Sequence, residues 1–151
     1  MTIIVLKTMV DAPIAEVFDL ARDIDAHLKS MDKSAEKAIA GVTSGKINLG
    51  ETVTWKGKHF GLWLKHTSRI TAMKSPDYFI DEMEKGHFKS FRHKHLFSTD
   101  NGHTMMTDEL TYETPGGVIG KLFDKLILKN YLTKLLQRRN AALKAAAENQ
   151  A

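Results

Sequence analysis

Two carboxylates and two imidazoles recur at two-residue spacing with large apolar side chains between positions 79 and 112. Phe79, Asp81 and Met83 form one set; Phe91, His93, His95 and Phe97 a second; Met106, Asp108, Leu110 and Tyr112 a third. Each set lies in a run that alternates in character, so on a β-strand its members share one face. Burying such a face as plain core is costly, because an unpaired charge loses its hydration. It suits the wall of a cavity, where burial shifts both groups toward neutrality and a His–Asp pair can sit charged or share its proton.

Several chemistries are open to that group. It can orient a carbonyl or hydroxyl of an otherwise apolar ligand. It can act as general acid or base on an enolisable, polyketide-like substrate, with His95, Asp108, His93 and Asp81 as the candidates. It can also be a structural pair that ties neighbouring strands and satisfies its own hydrogen bonds. A metal held by His93 and His95, with Asp81 or Asp108 supplying oxygen, would require separate strands to converge on one ion. We expect no metal and no cofactor. His59 and His66, on earlier strands, join the face unless a bend near Gly57 or Gly61 reverses them; Trp55 belongs to it as well. His87 and His103 lie near turns and are expected in solvent.

Residues 2–10 read as a strand. Pro13 and Glu16 open a short helix with Val17, Phe18, Leu20 and Ala21 on its apolar side, and Asp23 to Leu28 suit a second. Ala38, Ile39 and Val42 suggest a strand, and cleaner alternation follows over 51–58 and 62–71. Turn chemistry at Ser75-Pro76-Asp77, Gly86 and Asp100-Asn101-Gly102 separates the strands. After Pro115-Gly116-Gly117 the period changes to 3.6, and Ile119, Leu122, Phe123, Leu126, Ile127, Tyr131, Leu132, Leu135, Leu136 and Leu143 form a broad stripe. That predicts one helix from 118 to 147, about 45 Å long. Leu122, Phe123, Leu126 and Tyr131 are expected to close the cavity from the helix side. Lys134, Arg138, Arg139 and Lys144 are expected to form a solvated basic outer side.

Length, composition and missing motifs narrow the function. The 151 residues fit one domain, residues 1–151, with 42% hydrophobic and 26% charged residues. No cysteine is present, which excludes a disulfide framework and a cysteine nucleophile and is compatible with the cytoplasm. No apolar run approaches the ~20 residues of a membrane span, and Lys7 interrupts the first apolar run, so no signal peptide is expected. Net charge is +4, with acids and bases interleaved, which argues for a solvated surface over a nucleic-acid partner. Transient contact of the last helix with anionic lipid is the alternative use of its basic side. Phosphate-binding loop, nucleophile elbow and zinc-protease motifs are all missing. A monomer and a homodimer are equally compatible with the sequence.

The element order is strand, two short helices, strands joined by tight turns, then one long amphipathic helix. Short connections make the strands antiparallel neighbours, and only the last helix is long enough to cover the apolar face. Together with APIAEVFDLARD at 12–23, GETVTWKGKHFG at 50–61, PDYFIDEMEKGHF at 76–88, RHKHLF at 92–97 and DELTYETPGG at 108–117, this order resembles the START-like, birch-pollen-allergen-like superfamily, SRPBCC. The chain is especially similar to small bacterial polyketide cyclase/dehydrase-like members. Those commonly carry Gly-Pro-Phe where this chain has Gly86-His87-Phe88, which puts the geometry of one turn in question. The resemblance implies an α+β helix-grip fold, a curved antiparallel sheet of about six to seven strands around the long C-terminal helix. The expected function is binding or transport of a small hydrophobic molecule, a lipid, isoprenoid, polyketide or aromatic, in the cavity between sheet and helix. The alternative is a cyclase, aromatase or dehydratase using the His/Asp group; a third reading is a regulator with a filled core.

Overall fold

The computed structural model describes residues 1–150. Chain order is β1 (Thr2–Val10), α1 (Ile14–Ala21), α2 (Ile24–Ser30), β2 (Lys37–Gly41), β3 (Thr52–His59), β4 (Leu62–Lys74), β5 (Tyr78–Lys85), β6 (Ser90–Asp100), β7 (His103–Glu113), α3 (Gly117–Phe123) and α4 (Lys129–Gln150). A 3-10 turn over Asp32–Ser34 precedes β2, and a π turn over Asp124–Leu128 joins α3 to α4.

Two-residue loops dictate much of the topology. Phe60-Gly61 and Asn101-Gly102 both adopt positive φ, the conformation that matches the twist of the flanking strands in a tight hairpin. The strands therefore pair antiparallel in sequence order from β2 to β7, and β1 closes the other edge beside β7, giving β1-β7-β6-β5-β4-β3-β2. This curved sheet, the two short helices after β1 and the long C-terminal helix make the helix-grip fold.

Burial follows the expected parity. Along β7, Thr104, Met106, Asp108, Leu110 and Tyr112 are buried, with the residues between them half-buried. On the concave face two apolar clusters form. Phe18 of α1 presents edges to Phe79 (5.6 Å between ring centroids) and Phe97 (5.4 Å), and packs with Val10, Met106 and Leu143. Ile4, Leu110, Tyr112, Leu128 and Leu136 make the second cluster under the start of α4. The first cluster closes one end of the sheet.

The C-terminal helix departs from the expected straight stripe. A π turn holds one residue more than an α turn and so resets the phase of what precedes it. Its cause is Asp124, which turns inward to accept hydrogen bonds from the Tyr112 hydroxyl (2.5 Å) and from the Thr2 hydroxyl. Leu128 turns inward with it, whereas no residue of α3 is buried. Gly120 lets α3 start close to the preceding turn, since a Cβ there would lie 1.8 Å from the Pro115 carbonyl oxygen. The Asp124 contacts join the first strand, the last strand and the helix at one point. Asp124→Ala should cost about 1–3 kcal/mol, the penalty for two donors left without an acceptor. Tyr112→Phe should cost less, and thermal denaturation of both variants measures the difference.

Candidate ligand-binding cavity

Between the concave face and α4 lies a cavity of about 280 Å³. Val53, Ile70, Phe79, Leu132, Leu135 and Leu136 give it an apolar wall, and Trp55, His59, His66 and Phe91 also face it. At the floor stand Asp81, His93, His95 and, from the helix, Arg139.

Strand register assembles the floor. Asp81 pairs with His93 across β5 and β6, and His95 pairs with Asp108 across β6 and β7. The side chains reach diagonally instead: His95 Nε2 lies 2.7 Å from Asp81 Oδ2, and His93 Nε2 lies 2.8 Å from Asp108 Oδ1. Phe79, His95 and His93 form a stack, with centroids 4.1 Å and 3.7 Å apart. Asp108, which has no exposed surface, also accepts from Arg139 Nη1 (3.2 Å) and Asn140 Nδ2 (2.7 Å). Arg139 in turn donates to the Asn140 side-chain oxygen (2.9 Å) and reaches the Ala21 carbonyl.

These surroundings favour the neutral form of His95. Burial and the neighbouring His93 lower its pKa to about 4 against the opposing pull of Asp81. The neutral ring donates from Nε2 to Asp81 and offers Nδ1 to the Arg139 guanidinium, 3.4 Å away. Burial pushes the Asp81 carboxyl up, but the His95 hydrogen bond and the imidazoles of His95, His93 and His66 hold it below its ordinary value. For Asp108 burial is again the upward push, overcome by Arg139 and the His93 hydrogen bond, so its carboxyl lies far below the usual range. Burial lowers His66, opposed by Asp81 and Glu36.

A second polar group lies elsewhere on the cavity wall. Glu36 sits between His27 Nε2 (3.2 Å) and His59 Nε2 (3.8 Å), and His59 Nδ1 is 2.6 Å from the Tyr131 hydroxyl. The His27 ring lies against Trp55, 4.2 Å between centroids.

The expected site residues separate into distinct groups. Trp55, His59, His66, Phe79, Asp81, Phe91, His93, His95, Leu110 and Tyr131 all line the cavity. Phe97 and Met106 sit in the closed core beneath α1, and Tyr112 in the second apolar cluster. Met83 lies outside the lining, and Asp108 stands behind it, bonded to His93. Leu122 and Leu126 are 56% and 67% exposed, and Phe123 lies beside them at the surface, because the π turn rotates α3 away. Leu128, Leu132, Leu135 and Leu136 close the cavity in their place.

Arg139 corrects the reading of the last helix as basic on its outer side, since it is buried against Asp108. Its signal is present in the sequence: it falls three residues after Leu136 and four before Leu143, on the apolar stripe itself. Taking its charge as a mark of exposure hides this. Glu36 and His27 carry no comparable signal, since they lie on an irregular stretch and a short helix.

Asp81, His93 and His95 bring ligand atoms within 4.8 Å of one another, a spacing a divalent cation could span. Their nitrogens and oxygens are turned to one another and to Asp108, and the Arg139 guanidinium beside His95 opposes a further positive charge.

No protein-family model matches the chain, and no curated protein matches it. Solved structures do. A protein from Thermus thermophilus superposes with a TM-score of 0.75 at 17% identity, covering 97% of this chain and 99% of the other. A START superfamily protein from Mycobacterium smegmatis gives 0.73 at 14%, covering 99% of each. Major latex-like protein 151 from Panax ginseng gives 0.67 at 15%, covering 97% of each. The chain thus has the START-like helix-grip fold to which its motifs point.

Two outcomes test this account of the floor. Asp108→Ala strands the Arg139 charge and should cost about 3–5 kcal/mol, most of it recovered in Asp108→Ala/Arg139→Met. A double-mutant cycle by denaturant unfolding measures the coupling. The pH dependence has a definite sign. Folded His95 stays neutral down to about pH 4, whereas its unfolded counterpart protonates near 6.5. The unfolded state binds more protons in that window, so stability falls as pH drops from 6.5 toward 4. His95→Gln should flatten that slope.

Proposed function

We propose that the protein binds a compact hydrophobic molecule bearing one polar group, which the floor of the cavity orients. The observation that carries this reading is an apolar-walled cavity of about 280 Å³ with Asp81, His93, His95 and Arg139 gathered at one place on its wall. Its volume lies at the small end of ligand pockets, which usually span about 300–1,000 Å³. That favours an aromatic, a short isoprenoid or a small polyketide over a two-chain lipid. The fold neighbours named as a START superfamily protein and a latex-like protein support a carrier of this general kind. The lack of cysteine accords with a reducing, cytoplasmic setting.

The protonation states weigh toward binding over proton transfer. A general base works best with a pKa near the operating pH. His95 is held well below that, and its Nε2 proton is committed to Asp81. Asp81 is the floor carboxylate that remains partly open, its side chain 19% exposed, and it is an acceptor for a ligand hydroxyl or amine. A cyclase, aromatase or dehydratase would need this group to loosen and change protonation in each cycle.

An apolar fluorescent probe, anilinonaphthalene sulfonate, tests the reading. Leu135→Trp, which fills the cavity from α4, should weaken probe binding about tenfold or more, in line with the 1–3 kcal/mol cost of overpacking. Asp81→Asn should leave probe binding within about threefold, because apolar contact supplies most of the affinity. Native mass spectrometry of protein purified without detergent then identifies the chemical class of any retained molecule. No probe binding, together with a thermal midpoint unmoved by any apolar compound, would mean a filled core and end the proposal.

A further inference from the structure

Val118 and Ile119 are 83% and 81% exposed, and Leu122, Leu126 and Ile127 continue the same apolar surface. Single apolar residues at a surface need no explanation, but a contiguous patch on one helical segment does. Lys121, Lys125 and Lys129 are interspersed with them and exposed. The one acid between 117 and 129 is Asp124, which is buried and occupied by Tyr112 and Thr2. The outer surface of this segment is therefore apolar and cationic, with no free carboxylate.

The tip of the β3–β4 hairpin extends the patch. The Phe60 ring lies 5.7 Å from Phe123 and 4.4 Å from Tyr131. Leu62 follows at the surface on the same side, whereas Trp63, next in the strand, points to the opposite face beside Lys56. Phe60 holds a φ of 53°, a left-handed conformation in which Asn or Gly would rest at less cost. An aromatic ring is thus displayed at the tip against the local preference of the backbone. Phe60 and Tyr131 also line the cavity, so the patch borders it.

We propose that α3, the π turn and the β3–β4 tip form a docking face for the surface of an anionic lipid bilayer. A short segment mixing exposed leucine, isoleucine and valine with lysine, and lacking free acids, is suited to lie in the plane of the headgroups. Lysines near such a surface add electrostatic attraction, in the same direction as the net charge of +4. A second copy is a poorer occupant. A two-fold interface centred on this face would set the row Lys121, Lys125 and Lys129 against the same row of the other copy. The face borders the cavity at Phe60, but the leucines and lysines altered in the test lie outside the lining, so the proposal is tested apart from the ligand-binding reading and without any cavity ligand.

Co-sedimentation with vesicles of phosphatidylcholine mixed with phosphatidylglycerol, and with vesicles of phosphatidylcholine alone, decides it. The protein should bind the mixed vesicles far more tightly, and added salt should weaken that binding. Lys121→Glu/Lys125→Glu/Lys129→Glu should lose on the order of 100-fold, about fivefold per lysine removed. Leu122→Ser/Leu126→Ser should lose about tenfold or more while keeping its thermal midpoint and its binding of anilinonaphthalene sulfonate. Failure to sediment with the mixed vesicles overturns the proposal, as does binding that neither variant alters. A wild-type dimer that Leu122→Ser/Leu126→Ser converts to monomer, without vesicle binding, would make the patch a self-association face and also overturn it. Loss of probe binding by Leu135→Trp bears only on the cavity.

Discussion

Asp108 is a carboxylate without exposed surface at the middle of the last strand, and a charge so placed persists only if it is met on every side. Arg139 and Asn140 meet it from the helix, and His93 from the neighbouring strand. Those bonds hold sheet and helix together by direction as well as by area. Apolar side chains would tolerate several rotations of α4 over the curved face, but the guanidinium reaches Asp108 in few of them. The rotation that satisfies Asp108 is also the one that points Leu132, Leu135 and Leu136 at the cavity.

The second polar layer depends on the first. With Asp108 ionised and paired, His93 is fixed, and the stack of Phe79, His95 and His93 fixes the plane of His95. His95 then presents Nε2 to Asp81 and stays neutral. A buried salt bridge contributes little net stability over a well-packed apolar alternative. What this network contributes here is geometry, a polar floor held at one place beneath an otherwise apolar cavity. In consequence, the hydrogen bonds of the site are largely committed before any ligand arrives.

Much of this is legible in the residues, for a physical reason. Period-two alternation places side chains on one face whatever the tertiary context, so spacing alone gathers Asp81, His93, His95 and Asp108 on the concave surface. The tight-turn residues make the strands neighbours, and a single long helix has to cover them. Spacing alone does not show which diagonal pairs form, because that depends on the reach of each side chain across the register. Nor does it place Leu122 and Leu126. Their periodicity is genuine, but the demand of Tyr112 and Thr2 for an acceptor outweighs it and draws Asp124 inward. Arg139 misleads for the opposite reason, since its position on the stripe says more than its charge.

The π turn has an arithmetic of its own. In an α-helix one residue corresponds to about 100° of rotation. Were Asp124–Leu128 wound as α instead of π, with the same residues, α3 would swing by roughly that angle relative to α4. The leucines now facing outward would turn with it, and so would the lysines between them. One widened turn thus separates a helix that turns its apolar side to its own fold from one that offers that side to the surroundings.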